Sequence, residues 1–138
     1  MSGRRILILD DSTVTLKMLI RALKSEGFIP RATPSIKTFG KLVEEFKPEM
    51  VLLDLAMPTK DGDQVCQEIQ QRFPNRPIPV VMMSGLSEGE LDQRSKAAGA
   101  YAYISKKHGF QAFVQSVTEI FQTHDRELMK ARAARLNR

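Results

Sequence analysis

The chain has 138 residues, of which 42% are hydrophobic, and a formal net charge of +5. This length suits one globular domain with a hydrophobic core, and no apolar run approaches the ~20 residues that a membrane-spanning helix needs. Because MSGRR at the start is not followed by a secretory signal pattern, we expect a cytoplasmic protein without membrane contact. The single cysteine, Cys66, excludes a disulfide within the chain and a cysteine-rich metal site.

The first half of the chain alternates between short apolar runs and helical patterns. The run RILIL at 5–9 predicts a strand that is covered on both faces. A helical pattern of leucines follows, with Thr13 as its expected N-cap. The segment 27–33 predicts a second strand, and Pro30 places it at a sheet edge because proline lacks a ladder donor. The apolar spacing at 39–46 then predicts a second helix.

The second half repeats this alternation three more times. Each repeat begins with an apolar run and continues with a helical segment. The runs lie at 50–55, 78–84 and 100–105, and the helices are predicted from Gly62 onward, over 87–98 and over 110–136. Five strand–helix repeats predict an α/β fold, an open parallel sheet with helices on both faces.

Open sheets of this kind bind ligands beyond the carboxyl ends of their strands. Chemically capable side chains occupy these ends, namely Asp10, Asp11, Asp54, Ser84 and Lys106. Three carboxylates in one crevice repel one another unless a cation compensates them. Magnesium is a natural choice, since it prefers one or two carboxylates together with water and phosphate oxygens. The sequence therefore predicts a Mg2+ site.

Four motifs at these strand ends resemble the receiver domain of two-component response regulators. They are LDDS, DLAMPTKDG, MSG and AGAYAYISK, in this order along the chain, and the chain is similar to the single-domain chemotaxis regulators. The resemblance covers about residues 4–122. It implies a receiver domain over residues 1–122 with a flavodoxin-like (βα)5 sheet of strand order 2-1-3-4-5.

The resemblance also implies a role for each carboxylate. Asp54 would be the phosphoacceptor, taking a phosphoryl group from a phosphohistidine on a sensor histidine kinase or phosphotransfer protein. Asp11, Asp54 and the backbone carbonyl of Ala56 would bind Mg2+ directly, and Asp10 would act mainly through a coordinated water. The chain would assist its own phosphorylation and dephosphorylation without being a turnover enzyme.

The remaining motif residues imply phosphoryl binding and a switch. Lys106 and Ser84 would contact phosphoryl oxygens and serve with Asp54 as catalytic residues. Ser84 would move toward the new phosphoryl group, and the ring of Tyr103 would then turn inward. The face formed by the fourth helix, the fifth strand and the fifth helix would change as a result, and a downstream output protein would read it.

Two positions depart from the family pattern. Lys107 follows Lys106 where the family usually has a proline after a cis peptide bond. A cis bond costs ~2.5–4 kcal/mol before other residues, against about 0.5–1 kcal/mol before proline, so we expect a trans or strained loop. Ala56, two residues beyond the acceptor, leaves open the access of a hydrolytic water.

The last segment, residues 123–138, is predicted to be a basic, helical C-terminal extension. Residues 125–138 hold five basic and two acidic residues, a balance of +3. We expect the extension to continue the last helix and to pack through Leu128 and Leu136 against a partner or a second copy, which would make a homodimer. A solvated tail without a role is an equally good interpretation.

Three other functions compete with a stand-alone receiver. The chain could be the receiver piece of a larger regulator with a C-terminal output domain. It could be an α/β phosphohydrolase with Asp54 as nucleophile, but that class has a second aspartate where this chain has Ala56. Nucleic-acid binding through the tail lacks aromatic interleaving or a recognition module, so we expect no direct nucleic-acid contact.

Overall fold

The computed structural model describes residues 3–55, 62–72 and 78–137. It contains one five-stranded parallel sheet whose order, β2-β1-β3-β4-β5, confirms the prediction. Between strands the chain crosses over through helices. The elements are β1 (Arg5–Leu9), α1 (Thr13–Ser25), β2 (Ile29–Thr33), α2 (Ile36–Phe46), β3 (Met50–Asp54), α3 (Gly62–Arg72), β4 (Val80–Ser84), α4 (Glu88–Ala98), β5 (Ala102–Ser105), a 3-10 turn (Lys106–His108) and α5 (Gly109–Leu136).

The central strands are covered on both faces, as their continuous apolar runs indicate. Ile6 and Ile8 of β1 pack into the cluster beneath α1 and α5, whereas Leu7 and Leu9 pack into the cluster beneath α2, α3 and α4. Pro30 lies in β2, which pairs with β1 at the edge of the sheet. The two clusters fix the sheet, and with it the positions of the side chains at the strand ends.

Several predicted boundaries were wrong by a few residues. The N-cap of α1 is Ser12, not Thr13, because Ser12 has an extended backbone and its hydroxyl accepts a hydrogen bond from the Thr15 N–H. β4 begins at Val80, not at residue 78, since Pro79 has no N–H to donate to the ladder. β3 and β5 are also shorter than predicted.

The last helix is continuous from Gly109 to Leu136. It contacts the body of the domain beyond residue 122, where Asp125 pairs with Arg4 and Glu127 accepts a hydrogen bond from Tyr101. Of the two predicted contact residues in the tail, Leu128 is half-buried and Leu136 is 85% exposed. Among the described residues, no helix is long and apolar enough to cross a membrane.

Candidate functional site

Three carboxylates meet at the carboxyl edge of the sheet, as predicted from the strand ends. Asp10 and Asp11 follow β1, and Asp54 is the last residue of the neighbouring strand β3. One carboxylate oxygen from each lies within 4.8 Å of the other two. Asp10 is 1% and Asp54 7% exposed, whereas Asp11 is open to solvent. The group is an acidic pocket that can hold a metal ion.

The turn after β1 orients the first of these carboxylates. The Ser12 N–H donates to Asp10 Oδ1 at 2.9 Å, a side-chain turn that aspartate forms readily. The Ser12 side chain caps α1 at the same point. One short segment therefore aims Asp10 inward, leaves Asp11 outward and starts the helix.

Lys106 supplies the positive charge of the site. Its ammonium lies 2.6 Å from Asp10 Oδ2 and 3.6 Å from Asp54 Oδ1. Lys106 begins the 3-10 turn directly after β5, and its side chain is only 25% exposed. Three carboxylates and one ammonium leave a local excess of two negative charges, which favours a divalent cation.

Ser84 lies on β4, the neighbour of β3, and Tyr103 lies on β5, the edge strand that pairs with β4. Ser84 ends β4, and its buried hydroxyl accepts a hydrogen bond from the Leu86 N–H at 3.0 Å. Tyr103 is half-buried in β5 and packs against the cluster that contains Leu91 and Ala98 of α4. The predicted site residues of the described segments thus share one edge, with Tyr103 at its side.

The sequence profile of the response regulator receiver domain matches residues 6–118. The chain belongs to this family. The match confirms the predicted resemblance, and it sets the chain among the proteins of two-component systems.

Two curated relatives are transcriptional regulatory proteins that are longer than this chain. PdtaR of Mycobacterium tuberculosis is 30% identical over 115 residues, which are 83% of this chain and 55% of PdtaR. The phosphate regulon regulator PhoB of Escherichia coli is 28% identical over 120 residues, which are 87% of this chain and 52% of PhoB. The chain therefore spans about half the length of these relatives.

Solved structures of similar receivers agree in fold. A CheY-like receiver domain protein from Methanospirillum hungatei is 25% identical with a TM-score of 0.78, covering 91% of this chain and 99% of that one. The chemotaxis protein CheY4 of Vibrio cholerae has the same TM-score at 17% identity, covering 86% of this chain and 99% of its own. The second likeness concerns the fold alone.

One predicted metal contact of this receiver domain lies outside the described residues. It is the backbone carbonyl of Ala56, which belongs to the undescribed range 56–61. The Lys106–Lys107 loop, by contrast, is described. Its peptide bonds are trans, and the Ser105 hydroxyl accepts a hydrogen bond from the Lys107 N–H at 3.2 Å.

Sequence reasoning missed two residues beside the site. His108 Nε2 lies 3.1 Å from Glu88 Oε1, so the 3-10 turn is joined to the first residue of α4. The two residues are 20 positions apart, and no helical or strand period connects them. The available signal was their placement directly after two predicted strand ends, which meet at one edge of the sheet.

Proposed function

We propose that this receiver domain accepts a phosphoryl group on Asp54 from a phosphohistidine. The observation that carries the proposal is the position of Asp54 beside the other two carboxylates and 3.6 Å from the Lys106 ammonium. A carboxylate held near a cation and at the rim of a crevice is suited to nucleophilic attack on phosphorus.

The donor set fits Mg2+. Asp10, Asp11 and Asp54 offer hard oxygen ligands within a small radius, and magnesium takes one or two carboxylates together with waters and phosphate oxygens. When bound, the ion would neutralise charge on the transferring phosphoryl group. We assign direct contact to Asp11 and Asp54, with the Ala56 carbonyl as a third ligand, and contact through water to Asp10.

The transfer itself needs few protein groups. An oxygen of Asp54 attacks the phosphorus, an acyl phosphate bond forms, and the phosphorus–nitrogen bond breaks with its electron pair going to the histidine of the donor. Lys106 is close enough to Asp54 to compensate charge on the phosphoryl oxygens. The Ser84 hydroxyl would lose the hydrogen bond that it accepts from the Leu86 N–H and would donate to another phosphoryl oxygen.

The readout follows from the position of Ser84. Its movement toward the phosphoryl group would open space beside β4, into which the half-buried ring of Tyr103 would turn. Because Tyr103 packs against the cluster to which α4 contributes Leu91 and Ala98, the face made by α4, β5 and α5 would change shape. We propose that an output protein reads this face and that a sensor histidine kinase or phosphotransfer protein supplies the phosphoryl group, while the chain turns over no substrate of its own.

Phosphorylation with acetyl phosphate and Mg2+ tests the acceptor. The wild-type protein should gain one phosphoryl mass, and Asp54→Asn should gain none, because the amide is not a nucleophile. Asp92→Asn is a matched control, since Asp92 is an aspartate of α4 paired with Lys96. Labelling of Asp54→Asn at the wild-type level would overturn the assignment, and phosphotransfer profiling against histidine kinases would identify the donor.

A further inference from the structure

The segment that aims Lys106 lacks the proline that the family usually places after this lysine. Lys106 instead begins a one-turn 3-10 helix with trans peptide bonds. The Ser105 hydroxyl caps this turn at the Lys107 N–H. Gly109, with φ of 86° and ψ of 168°, then redirects the chain into α5, a conformation that favours glycine. A single short turn is a weak support for a side chain that must meet a phosphoryl oxygen.

A cross-link from α4 adds to this support. The His108 ring lies at the end of the 3-10 turn, and its Nε2 is 3.1 Å from Glu88 Oε1. Glu88 is the first residue of α4, next to the Ser87 cap and four residues after Ser84. The His108–Glu88 pair therefore joins the segment that carries Lys106 to the segment that carries Ser84.

We propose that His108 and Glu88 are positioning residues that hold Lys106 and Ser84 at the spacing of two phosphoryl oxygens. The inference rests on the proposed phosphoacceptor function, since it concerns the same site. It assigns to a side-chain pair the support that a proline gives elsewhere in the family. A group that must be placed within about 0.5 Å of its productive position depends on such supporting contacts.

The expected effect is small because both partners are exposed. The side chains of His108 and Glu88 are 62% and 64% exposed, and pairs of this kind contribute little, because solvent screens them. Removing either partner should slow phosphorylation of Asp54 by about two- to five-fold. The thermal midpoint should change little, so that lost folding cannot explain the slower reaction.

A double-mutant cycle tests the pair with acetyl phosphate as the phosphodonor and Mg2+ present. His108→Ala and Glu88→Ala should slow the reaction equally, and the double variant should be no slower than either one. His108→Lys, which places a hydrogen-bond donor opposite Glu88, should retain most of the wild-type rate. Glu90→Ala and Lys107→Ala are matched controls, because they remove an exposed charge from the same helical turn and from the same loop.

A second background separates positioning from a general structural role. In Lys106→Ala protein, His108→Ala should cause a smaller loss than it does in the wild type, since the part of its effect that passes through Lys106 is gone. Three results would each overturn the inference while leaving Asp54 as acceptor. They are single variants that react at the wild-type rate, effects that multiply in the double variant, and a loss of rate from His108→Ala in the Lys106→Ala background that is as large as in the wild type. Labelling of Asp54→Asn would instead refute the proposed function and this inference with it.

Discussion

The carboxyl ends and the amino ends of the strands form two opposite edges of the sheet. These two edges carry different arrangements of charge. At the carboxyl edge, three carboxylates face one ammonium, that of Lys106. At the amino edge, Arg4 and Arg5 face two carboxylates, Glu49 and Asp125. The first edge is left with an excess of negative charge, and the second is neutral within its own set of contacts.

The amino edge uses its charges to hold the last helix. The Arg4 guanidinium donates to both oxygens of Asp125 at 2.9 and 3.3 Å, lies 2.7 Å from Glu49 and stacks 4.2 Å from the Phe121 ring centre. The hydrogen bond to Asp125 raises the pKa of Arg4 further above its ordinary value. Matched charges of this kind support the fold.

Tyr101 and His124 complete the amino edge. The Tyr101 hydroxyl donates to Glu127 at 2.8 Å, and burial together with this hydrogen bond raises the pKa of Tyr101 to about 12. The His124 ring meets Tyr101 edge to face at 4.9 Å. The comparison teaches that a cluster of paired charges stabilises the fold, whereas a cluster with excess charge of one sign is suited to binding a ligand of the opposite sign.

The largest effect should come from the carboxyl edge, which has an excess of negative charge. Asp11→Ala should weaken Mg2+ binding by about ten-fold or more, because it removes a proposed direct ligand. The free energy of unfolding without metal should stay the same or rise, since one of three mutually repelling charges is gone. Calorimetric titration and urea unfolding measure the two quantities, and Asp92→Ala serves as control. Equal Mg2+ affinity in the variant and the wild type would mean that the acidic pocket has another purpose.

At the amino edge, where the charges are matched, removing a charged side chain should affect stability and leave Mg2+ binding unchanged. Arg4→Met keeps an apolar side chain over Phe121 but leaves Glu49 and Asp125 without their shared partner, which should lower the free energy of unfolding by about 1–3 kcal/mol. Arg4→Lys should lose less, since it keeps the charge but not the two-pronged contact. Mg2+ affinity and phosphorylation rate should not change. If they fell with stability, the two edges would be coupled and the contrast between them would fail.

The amino edge should also make the stability of the fold depend on pH. Burial lowers the pKa of His124 below its ordinary 6.5, against the opposing effects of Asp125 and Glu127, and Arg4 lowers it further. The unfolded chain therefore binds more protons than the folded one as pH falls below about 6.5, and stability should fall over that range. His124→Phe should reduce the loss between pH 7.5 and 5.5 in urea unfolding. An NMR titration that gives His124 a midpoint above 6.5 would contradict this.

The smallest effect should come from the end of α5. Deleting residues 128–138 spares Asp125 and Glu127, so the unfolding midpoint and phosphorylation rate should stay close to those of the full chain. Deleting 125–138 should lower stability, because the contacts to Arg4 and Tyr101 go with it. Light scattering on both variants tests the predicted packing of Leu128 and Leu136. A mass that halves on the shorter deletion would support the homodimer, and an unchanged mass would support a solvated tail.

The site was largely predictable from the sequence, whereas its supports were not. Asp10, Asp54 and Lys106 end or follow apolar runs, and parallel strands bring their carboxyl ends together whatever the loops do. The pairing of Arg4 with Asp125 spans 121 positions, and that of His108 with Glu88 spans 20. Such contacts depend on how helices settle on the sheet, which no local period encodes.

The N-cap of α1 shows a finer limit. Ser12 and Thr13 are both good capping residues, and the sequence alone does not decide between them. The choice of Ser12 follows from Asp10, whose carboxylate holds the Ser12 N–H and thereby the extended backbone of the cap. The residue that belongs to the site also determines where the helix begins.

α5 is one continuous helix that connects the carboxyl edge of the sheet with the amino edge. Its 28 residues correspond to ~42 Å of helix, beginning beside Lys106 and passing the Arg4–Asp125 contact ~24 Å along the axis. Asp125 and Glu127 attach this part of α5 to the domain through Arg4 and Tyr101. Beyond Asp125 ~16 Å of helix remain, so a tilt of α5 around these contacts would move the far end in the direction opposite to the movement at Lys106.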